Sequence, residues 1–335
     1  MIGHFSPCFG MTIINLESHA SNPVSRMPYP VPRDFMTPDL SRELHDPEFL
    51  LTQQNPDGGW GYRVGSTSAV EATAWALMAF LEAGGAASAS EAGVRASAWL
   101  LEAQHADGSW PAFPGQPQGC WATSLASRAL HLSGGAQDAV ERGLHWLLDA
   151  QPAEGALVWR LRQSLFRSRL ARQDNSLLGW NWTPGTASWV EPTAYALLFL
   201  RALPPTMLSP RAVRRLQLAE QMLFDRMCPG GGWNSGNPLI YGVAGVPRIG
   251  PTVWALLALR DHPGRPEIQM SVRWLEDAYG EIHGAASLAL AHRCLRVYGR
   301  PVPPLQPTLR ELYLHNRFFD NVLTTAWVLL ALNRE

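Results

Sequence analysis

Two glutamates in matching stretches of the sequence are the strongest candidates for acid chemistry. Glu71 begins the stretch EATAWAL and Glu191 begins the stretch EPTAYAL, each at the start of an apolar segment. A carboxyl that is desolvated beside aromatic side chains has a raised pKa and can donate a proton. The structural alternative is a helix capping box, because Ser68 and Ser188 precede the two glutamates by three residues.

Aromatic residues accompany these two positions. Trp60, Trp110 and Trp233 each end a Gly-rich turn, and we interpret them as structural. Other aromatic residues stand near the starts of apolar segments, where their faces could line a cavity and stabilise a carbocation. Packing in the core is the alternative. The predicted substrate-binding aromatic residues are Trp75, Trp121, Trp180, Trp182, Trp189, Tyr195, Trp254 and Trp327.

Polar residues near the same segments complete the set of candidates. Tyr241 and Arg248 lie in a Gly-rich loop and could orient a substrate, although an ordinary flexible connection also explains them. His283 could accept a proton from a cation or could simply hydrogen-bond its neighbours. Five arginines between positions 160 and 172 could hold a diphosphate, lie on an anionic membrane surface or form a solvated lid. They are Arg160, Arg162, Arg167, Arg169 and Arg172.

The hydrophobic pattern predicts the helices that must position these residues. Amphipathic helices are expected near 44–54, 91–104, 137–151, 211–228, 267–279 and 307–317. Helices that are apolar on nearly every face are expected near 69–84, 120–133, 189–203, 249–261, 284–298 and 320–333. Six such helices can be buried together only as an inner ring inside the amphipathic ones. The sequence therefore predicts an all-α fold, a closed α6/α6 toroid.

The apolar helices share one register, so their first turns should meet at one rim, where we expect the functional site. The turns that end at Trp60 and Trp110 set a repeat of about 50 residues. We predict a single toroid domain over 41–335, with a lid-like insertion at 152–188. The proline-rich residues 1–40 are predicted to form an extended N-terminal arm.

Composition excludes several function classes. The net charge of −1 and the pI near 6.8 give no basis for nucleic acid as a partner. All 27 basic residues are arginine, which excludes a lysine Schiff base and a P-loop lysine. We predict no cofactor and no metal. Without a leader or a membrane-length apolar run, we expect a cytoplasmic protein, with peripheral membrane contact as an alternative. The sequence indicates no oligomeric state.

The turns Gln54–Trp60 and Gln104–Trp110 resemble the QW repeats of the α/α-toroid superfamily, which contains squalene-hopene cyclases, other class II terpene cyclases and protein prenyltransferase β subunits. In the third copy, which begins at Gln151, Leu157 stands where the tryptophan would be, and the fourth copy lacks the glutamine. The resemblance covers roughly residues 44 to 333 and implies the toroid fold.

The resemblance also implies roles for single residues. In terpene cyclases an Asp-x-Asp-Asp-Thr-Ala motif carries the proton donor. The stretch WVEPTA matches it with Glu191 at the donor position, but Trp189 and Pro192 replace the flanking acids. Prenyltransferases bind zinc through Asp, Cys and His. Here Cys120 lacks the neighbouring Asp and His283 lies three repeats away, so no zinc site is predicted.

Taken together, the residues and the resemblance imply a terpene cyclase-like enzyme of the isomerase or lyase type. Glu191, or Glu71, would start the cyclisation or isomerisation of a lipophilic isoprenoid in an aromatic-lined cavity. A prenyltransferase-like enzyme and a non-catalytic toroid that binds a lipid or a protein are the alternatives. A deep, closed aromatic pocket with the Glu191 carboxyl pointing inward favours catalysis, whereas a filled ring with that carboxyl folded back onto its helix amides favours a scaffold.

Overall fold

The structure, a computed structural model, describes residues 48–84, 91–156, 173–240 and 242–333. Three predictions lie outside these residues: the N-terminal arm, the arginines between 160 and 172, and the role of Tyr241. The regular secondary structure of the described residues is almost entirely helical, and one short antiparallel hairpin pairs β1 (Leu239–Ile240) with β2 (Val243–Ala244).

Within the described ranges, twelve α-helices alternate between an apolar and an amphipathic type, as predicted. The apolar, inner helices are α2 (Val70–Gly84), α4 (Ala122–Ser133), α6 (Val190–Leu200), α8 (Ile249–Ala258), α10 (Ala285–Val297) and α12 (Val322–Leu332). The outer helices are α1 (Glu48–Leu51), α3 (Glu91–Glu102), α5 (Gln137–Asp149), α7 (Pro210–Asp225), α9 (Pro266–Tyr279) and α11 (Gln306–Asn316). Short 3₁₀ turns lie at Ala153–Gly155, Pro205–Met207 and Arg317–Asp320.

The inner helices form a closed cycle of neighbours. Helix α2 packs on α4, α4 on α6, α6 on α8, α8 on α10, α10 on α12, and α12 packs back on α2. The outer helices cover this ring: α3 contacts α2 and α4, α7 contacts α6, and α9 contacts α8 and α10. The predicted toroid is confirmed, because inner helices that are buried on nearly every face need neighbours on both sides and an outer layer.

Four turns that end on tryptophan share one set of hydrogen bonds and place the inner helices. In each turn the tryptophan backbone N–H donates to a threonine Oγ1 in the first turn of the next inner helix, at 2.9 Å. The indole N–H donates to a leucine carbonyl at or near the end of the preceding outer helix, at 2.6–2.9 Å. The pairs are Trp60 with Thr73, Trp110 with Thr123, Trp180 with Thr193, and Trp233 with Thr252.

The third turn corrects two predictions. Trp180 is the tryptophan of this turn, although we expected the copy to have lost it at Leu157 and expected Trp180 to bind substrate. Its indole N–H donates to the carbonyl of Leu147 at 2.9 Å, and the Arg215 guanidinium lies 4.3 Å from its ring centroid. The insertion separates Gln151 from Trp180 in the sequence and interrupts the repeat pattern. Trp180 nevertheless makes the same hydrogen bonds as the other three turn tryptophans. Trp180 is buried and structural.

Backbone hydrogen bonds link neighbouring repeats at the N-terminal ends of the inner helices. The N–H of Val70 donates to the carbonyl of Ala112, and the N–H of Val190 donates to that of Ser235, both at 3.1 Å. The last link closes the ring, because the N–H of Val322 donates to the carbonyl of Tyr62 at 3.0 Å. The first turn and the last inner helix are therefore directly joined.

Candidate functional site

The threonines of the four turns give a common register for the inner helices. Glu71 and Glu191 lie two residues before Thr73 and Thr193, so both carboxyls start their helices at the same end of the ring. Two residues after the same threonines come Trp75 and Tyr195. One helical turn, about 5.4 Å, separates the level of the acids from the level of the aromatic residues.

Four aromatic side chains at this second level meet in the middle of the ring, and we call them the aromatic layer: Trp75, Tyr195, Trp254 and Trp327. The ring centroids of Trp75 and Trp254 lie 5.0 Å apart, although α2 and α8 stand on opposite sides of the cycle. Tyr195 lies 5.3 Å from Trp254, and Trp327 lies 6.0 Å from it.

These distances show how far the aromatic side chains themselves occupy the ring in which the sequence predicts an aromatic-lined cavity. Centroids this close place the rings in contact, so the aromatic layer fills the centre of the ring at its own level. Leu125 on α4 and Leu290 on α10 are also buried. The two glutamates lie on the rim side of this layer, one helical turn before Trp75 and Tyr195.

Two further tryptophans extend the aromatic surface toward the rim between α4 and α6. The ring of Trp182 lies 5.1 Å from that of Trp121 and 6.4 Å from that of Tyr195. Both tryptophans are partly buried. The backbone N–H of Trp121 donates to the carbonyl of Trp182 at 3.1 Å, which fixes the two chains side by side. The predicted residues Trp121, Trp182 and Tyr195 are thus brought together.

The capping boxes predicted as the structural explanation of the glutamates do not form. The backbone N–H of Gly179 donates to Ser188 Oγ at 3.0 Å, and Ser188 is therefore engaged with the third turn rather than with α6. Ser68 Oγ donates to Asp57 Oδ1 at 2.8 Å in the first turn. No side-chain hydrogen bond caps the N-terminus of α6, where Trp189 is the cap residue. Both serines form hydrogen bonds within the turns, so neither forms a capping box with its glutamate.

Glu191 is the less constrained of the two carboxyls. Its Oε2 is buried and has no hydrogen-bond partner among the described residues. Burial raises the pKa of Glu191 to about 7, and a hydrogen bond from its own backbone N–H opposes the rise. Within the described part of the chain it has no ion-pair partner. A carboxyl of this kind exchanges its proton near neutral pH.

Glu71 is held by a residue that our reading of the sequence missed. The hydroxyl of Tyr62 donates to Glu71 Oε2 at 2.7 Å. Burial raises the pKa of Glu71, and the hydrogen bond from Tyr62 lowers it in part. The signal was available, because Tyr62 follows Trp60 by two residues, as Trp182 follows Trp180. Residues at this position lie at the rim in both repeats.

Tyr195 connects the two carboxyls electrostatically. Burial raises the pKa of its hydroxyl, and the negative charges of Glu71 and Glu191 raise it further. Both glutamates therefore act on the same hydroxyl group. The structure therefore combines two desolvated acids, a tyrosine and an aromatic surface at one end of the ring.

Three other predicted residues, and Cys120 of the rejected zinc site, lie outside this cluster. Trp189 precedes α6, its backbone N–H donates to the carbonyl of Trp180 at 2.9 Å, and it makes no ring contact with another described aromatic residue. Arg248 and His283 are exposed just before α8 and α10. Cys120 is buried with its Sγ 3.7 Å from the carbonyl oxygen of Trp110. Within the described ranges no group of His, Cys, Asp and Glu could hold a metal ion.

Comparison with known proteins agrees with the toroid. Residues 45–157 match the family model of the squalene-hopene cyclase N-terminal domain. A protein from Actinoplanes has a similar structure, with a TM-score of 0.53 and 17% identity over 81% of this chain and 78% of that one. The type II terpene cyclase MstE from Scytonema gives a TM-score of 0.52 and 16% identity, covering 84% of this chain and 78% of its own.

A third similar structure was solved with a bound sugar. Rex8A from Paenibacillus barcinonensis, solved with xylose, gives a TM-score of 0.52 and 12% identity over 89% of this chain and 93% of that chain. No curated protein matches. The family-model match supports the resemblance to squalene-hopene cyclases, and the structural likenesses show a shared fold. None of the described helices is both long and apolar enough to cross a bilayer.

Proposed function

We propose that this chain is a terpene cyclase-like enzyme in which Glu191 protonates a lipophilic isoprenoid and starts its cyclisation or isomerisation. The observation that carries the proposal is the carboxyl of Glu191, whose Oε2 is buried without a partner among the described residues. Fold alone does not choose a substrate, since a protein solved with xylose has a similar fold. The argument therefore rests on the chemistry of the site.

The state of Glu191 suits a proton donor at neutral pH. With a pKa of about 7, a large share of the carboxyl is protonated near pH 7. In the proposed step its O–H bond breaks and a C–H bond forms on an alkene, or an O–H bond on an epoxide. A carbocation and the Glu191 carboxylate result. General acids with a pKa near the working pH contribute roughly 10²–10⁴-fold to a rate.

In the proposed reaction the aromatic surface stabilises the carbocation by cation–π attraction. The rings of Tyr195, Trp182 and Trp121 form a chain of edge contacts, and Tyr195 lies one helical turn after Glu191 on α6. A desolvated cation over an aromatic face gains about 2 kcal/mol. In the last step a C–H bond next to the cationic carbon breaks, its electrons form a double bond, and the proton returns to a carboxylate. The net reaction is an isomerisation.

The choice of Glu191 over Glu71 follows from their hydrogen bonds. Glu71 Oε2 already accepts the Tyr62 hydroxyl at 2.7 Å, whereas Glu191 Oε2 accepts nothing from the described residues. We therefore assign proton donation to Glu191 and keep Glu71 as a second carboxyl of the site. The buried indole N–H of Trp121, unpaired within the described ranges, would suit an oxygen on the substrate, such as that of an epoxide.

The test is conversion of a panel of linear isoprenoids and their epoxides, followed by mass spectrometry of the products. We expect Glu191→Gln to lose roughly 10²–10⁴-fold in turnover. Glu102→Gln, on the exposed end of α3, is the matched control and should keep wild-type turnover. A xylo-oligosaccharide is the control substrate and should not react. Product formation that survives Glu191→Gln would reject the proposed acid.

A toroid that binds a lipophilic ligand without converting it is the second candidate. The observation in its favour is the aromatic layer, which fills the ring with contacts such as the 5.0 Å between Trp75 and Trp254. Mass spectrometry of lipid that co-purifies with the protein separates the two candidates. A bound isoprenoid that is released unchanged after long incubation would favour binding alone.

A further inference from the structure

Three tryptophans of the inner ring lack the hydrogen bond that the turn tryptophans make. The indole N–H groups of the four turn tryptophans donate to leucine carbonyls at 2.6–2.9 Å, and that of Trp99 donates to Asp57 Oδ2 at 3.1 Å. The indole nitrogens of Trp75, Trp121 and Trp327 are buried and have no partner within the described ranges. A buried donor without an acceptor costs free energy, so three in one region need an explanation.

The three indoles lie on neighbouring helices and belong to one connected aromatic surface. Trp327 is on α12, Trp75 is on α2 and Trp121 is at the start of α4, and α2 packs on both of the other helices. The ring of Trp75 lies 6.1 Å from that of Trp327 and 6.3 Å from that of Tyr195. The ring of Trp182 then joins Tyr195, at 6.4 Å, to Trp121, at 5.1 Å.

The groups around these indoles do not supply the missing acceptors. The contact between Trp75 and Trp327 is edge to face, at an angle of 81°, and a ring face is a weak acceptor for an N–H group. An indole N–H can only donate. Of the two carboxyls, Glu71 already accepts the hydroxyl of Tyr62, and Glu191 is a donor whenever it is protonated. The described groups therefore offer a ligand more donors than acceptors.

The ring has space at the level of the two glutamates. The residues two positions before the turn threonines share this level: Glu71 on α2, Trp121 on α4, Glu191 on α6 and Gly250 on α8. A side chain added at Gly250 would meet no atom within 4 Å. The same holds for Gly284, which precedes α10. Small residues on α8 and α10 thus leave room for a ligand opposite α2 and α4.

We propose that the ligand of this site is a lipophile with a carbonyl or ether oxygen, which accepts hydrogen bonds from the indoles of Trp75, Trp121 and Trp327. A carbonyl oxygen accepts two such bonds and brings no donor of its own. A wholly hydrocarbon polyene would leave all three donors unpaired. This inference rests on the proposed function for the lipophilic character of the ligand, but it does not require proton donation by Glu191.

Binding of two isosteric probes tests the proposal: the prenyl ketone geranylacetone, and its analogue with a methylene group in place of the carbonyl oxygen. Calorimetry with the full chain should show roughly 10–100-fold tighter binding of the ketone. Trp75→Phe, Trp121→Phe and Trp327→Phe each keep an aromatic ring and remove one N–H. We expect the ratio of the two affinities to fall about 2–10-fold in at least two of these variants, since a carbonyl oxygen accepts two bonds.

The ratio isolates the hydrogen bond, because a smaller ring weakens the binding of both probes. Trp182→Phe is the matched control. Its ring belongs to the same surface, but its indole nitrogen is not among the buried unpaired donors. This variant should weaken the binding of both probes equally. A ratio that falls as far in Trp182→Phe as in the three test variants would contradict the assignment.

Infrared spectroscopy of geranylacetone with an isotope-labelled carbonyl gives a readout from the wild-type protein alone. The carbonyl stretching frequency of the bound ketone should lie below its value in a hydrocarbon solvent, because a hydrogen bond to the oxygen weakens the C=O bond. A frequency equal to that in hydrocarbon would overturn the proposal. Equal affinity for the two probes would do so too, and would indicate that buried water satisfies the indoles. No binding of either probe would also overturn it.

Glu191→Gln separates this inference from the proposed function. The variant should lose turnover but keep the preference for the ketone, because all three indoles remain. Conversion of the isoprenoid panel by the wild type without a preference for the ketone would reject the oxygen-bearing ligand alone. A preference for the ketone without any conversion would reject the proposed acid and leave the assignment of the indoles standing.

Discussion

The two ends of the ring carry opposite charges for the same physical reason, but they differ in how those charges are satisfied. Aligned inner helices have partial positive charge at their N-terminal ends and partial negative charge at their C-terminal ends. Glutamates start α2 and α6, and arginines stand in or just after α6, α8 and α10 at the other end. The sign of the charges at each end therefore reflects the common direction of the inner helices and does not by itself indicate function.

Function is better indicated by what remains unpaired at each end. Arg293 and Glu82 form a 2.8 Å ion pair, and Tyr62 holds Glu71 at 2.7 Å. Glu191 and Trp121 at the N-terminal end have buried atoms with no partner in the described ranges. Because unpaired buried polar atoms cost free energy, a fold keeps them where a substrate or ligand completes the set.

The largest expected effect on stability concerns the N-terminal end and its pH dependence. The pKa of Glu191 rises from 4.5 to about 7 on folding, so between these values the folded protein holds the extra proton. Stability should therefore fall as pH increases through this window, by at most about 3 kcal/mol. Urea unfolding at pH 5 and pH 8 should show a larger loss in the wild type than in Glu191→Gln, which keeps only the contribution of Glu71. Identical pH dependence in both proteins would mean that Glu191 is well solvated.

The next effect tests whether the turns hold the N-terminal end in place. Thr193→Val leaves the buried backbone N–H of Trp180 without its 2.9 Å partner and should cost about 1–3 kcal/mol. Thr325→Val is the matched control. Its Oγ1 serves only the carbonyl of Asn321, which also accepts the Thr325 N–H. We expect under about 1 kcal/mol there in denaturant unfolding, and equal losses would contradict the special role of the turns.

A smaller effect separates the two glutamates. Tyr62→Phe removes one hydrogen bond from Glu71 and should destabilise the fold by about 1–2 kcal/mol. A double-mutant cycle with Glu71→Gln should show coupling between the two residues. The same cycle of Tyr62→Phe with Glu191→Gln should be nearly additive. Coupling of Tyr62 to Glu191 instead would show that the tyrosine serves the other carboxyl.

The smallest effect belongs to the paired charges of the C-terminal end. Glu82→Gln breaks the partly buried ion pair with Arg293 and should cost about 1 kcal/mol. Salt should reduce this difference, because it screens charges that remain in contact with water. Unfolding at low and at high sodium chloride measures it. A loss that does not change with salt would indicate that packing, rather than charge, stabilises this end.

The sequence predicted the fold well because hydrophobic periodicity reports burial directly. The inner helix predicted near 189–203 is observed at Val190–Leu200, and the one near 249–261 at Ile249–Ala258. The sequence also brought Glu71 and Glu191 to one rim through their shared register. Such patterns depend on residues that are close together in the sequence, so they can be recognised without a structure.

The errors concern contacts between distant residues. Ser188 fits a capping box by spacing, yet its Oγ accepts the N–H of Gly179 in the third turn. The contact between the rings of Trp75 and Trp254, whose centroids lie 5.0 Å apart, was not predicted either. Sequence spacing does not give the distance between helices on opposite sides of a ring.

The hydrogen bond from Val322 to Tyr62 also governs how the chain can reach this structure. An open array of repeats can nucleate anywhere and grow from unit to unit, since each unit contacts only its neighbours. Here the last inner helix is complete only when it meets the first turn, so the final step requires contact between distant parts of the chain. High contact order slows folding, while each doubling of loop length adds only about 0.6 kcal/mol to the closure cost. Stability should therefore tolerate longer surface loops. Removal of the last helix pair should instead leave α2 and α10 each without one of its two neighbours in the inner ring.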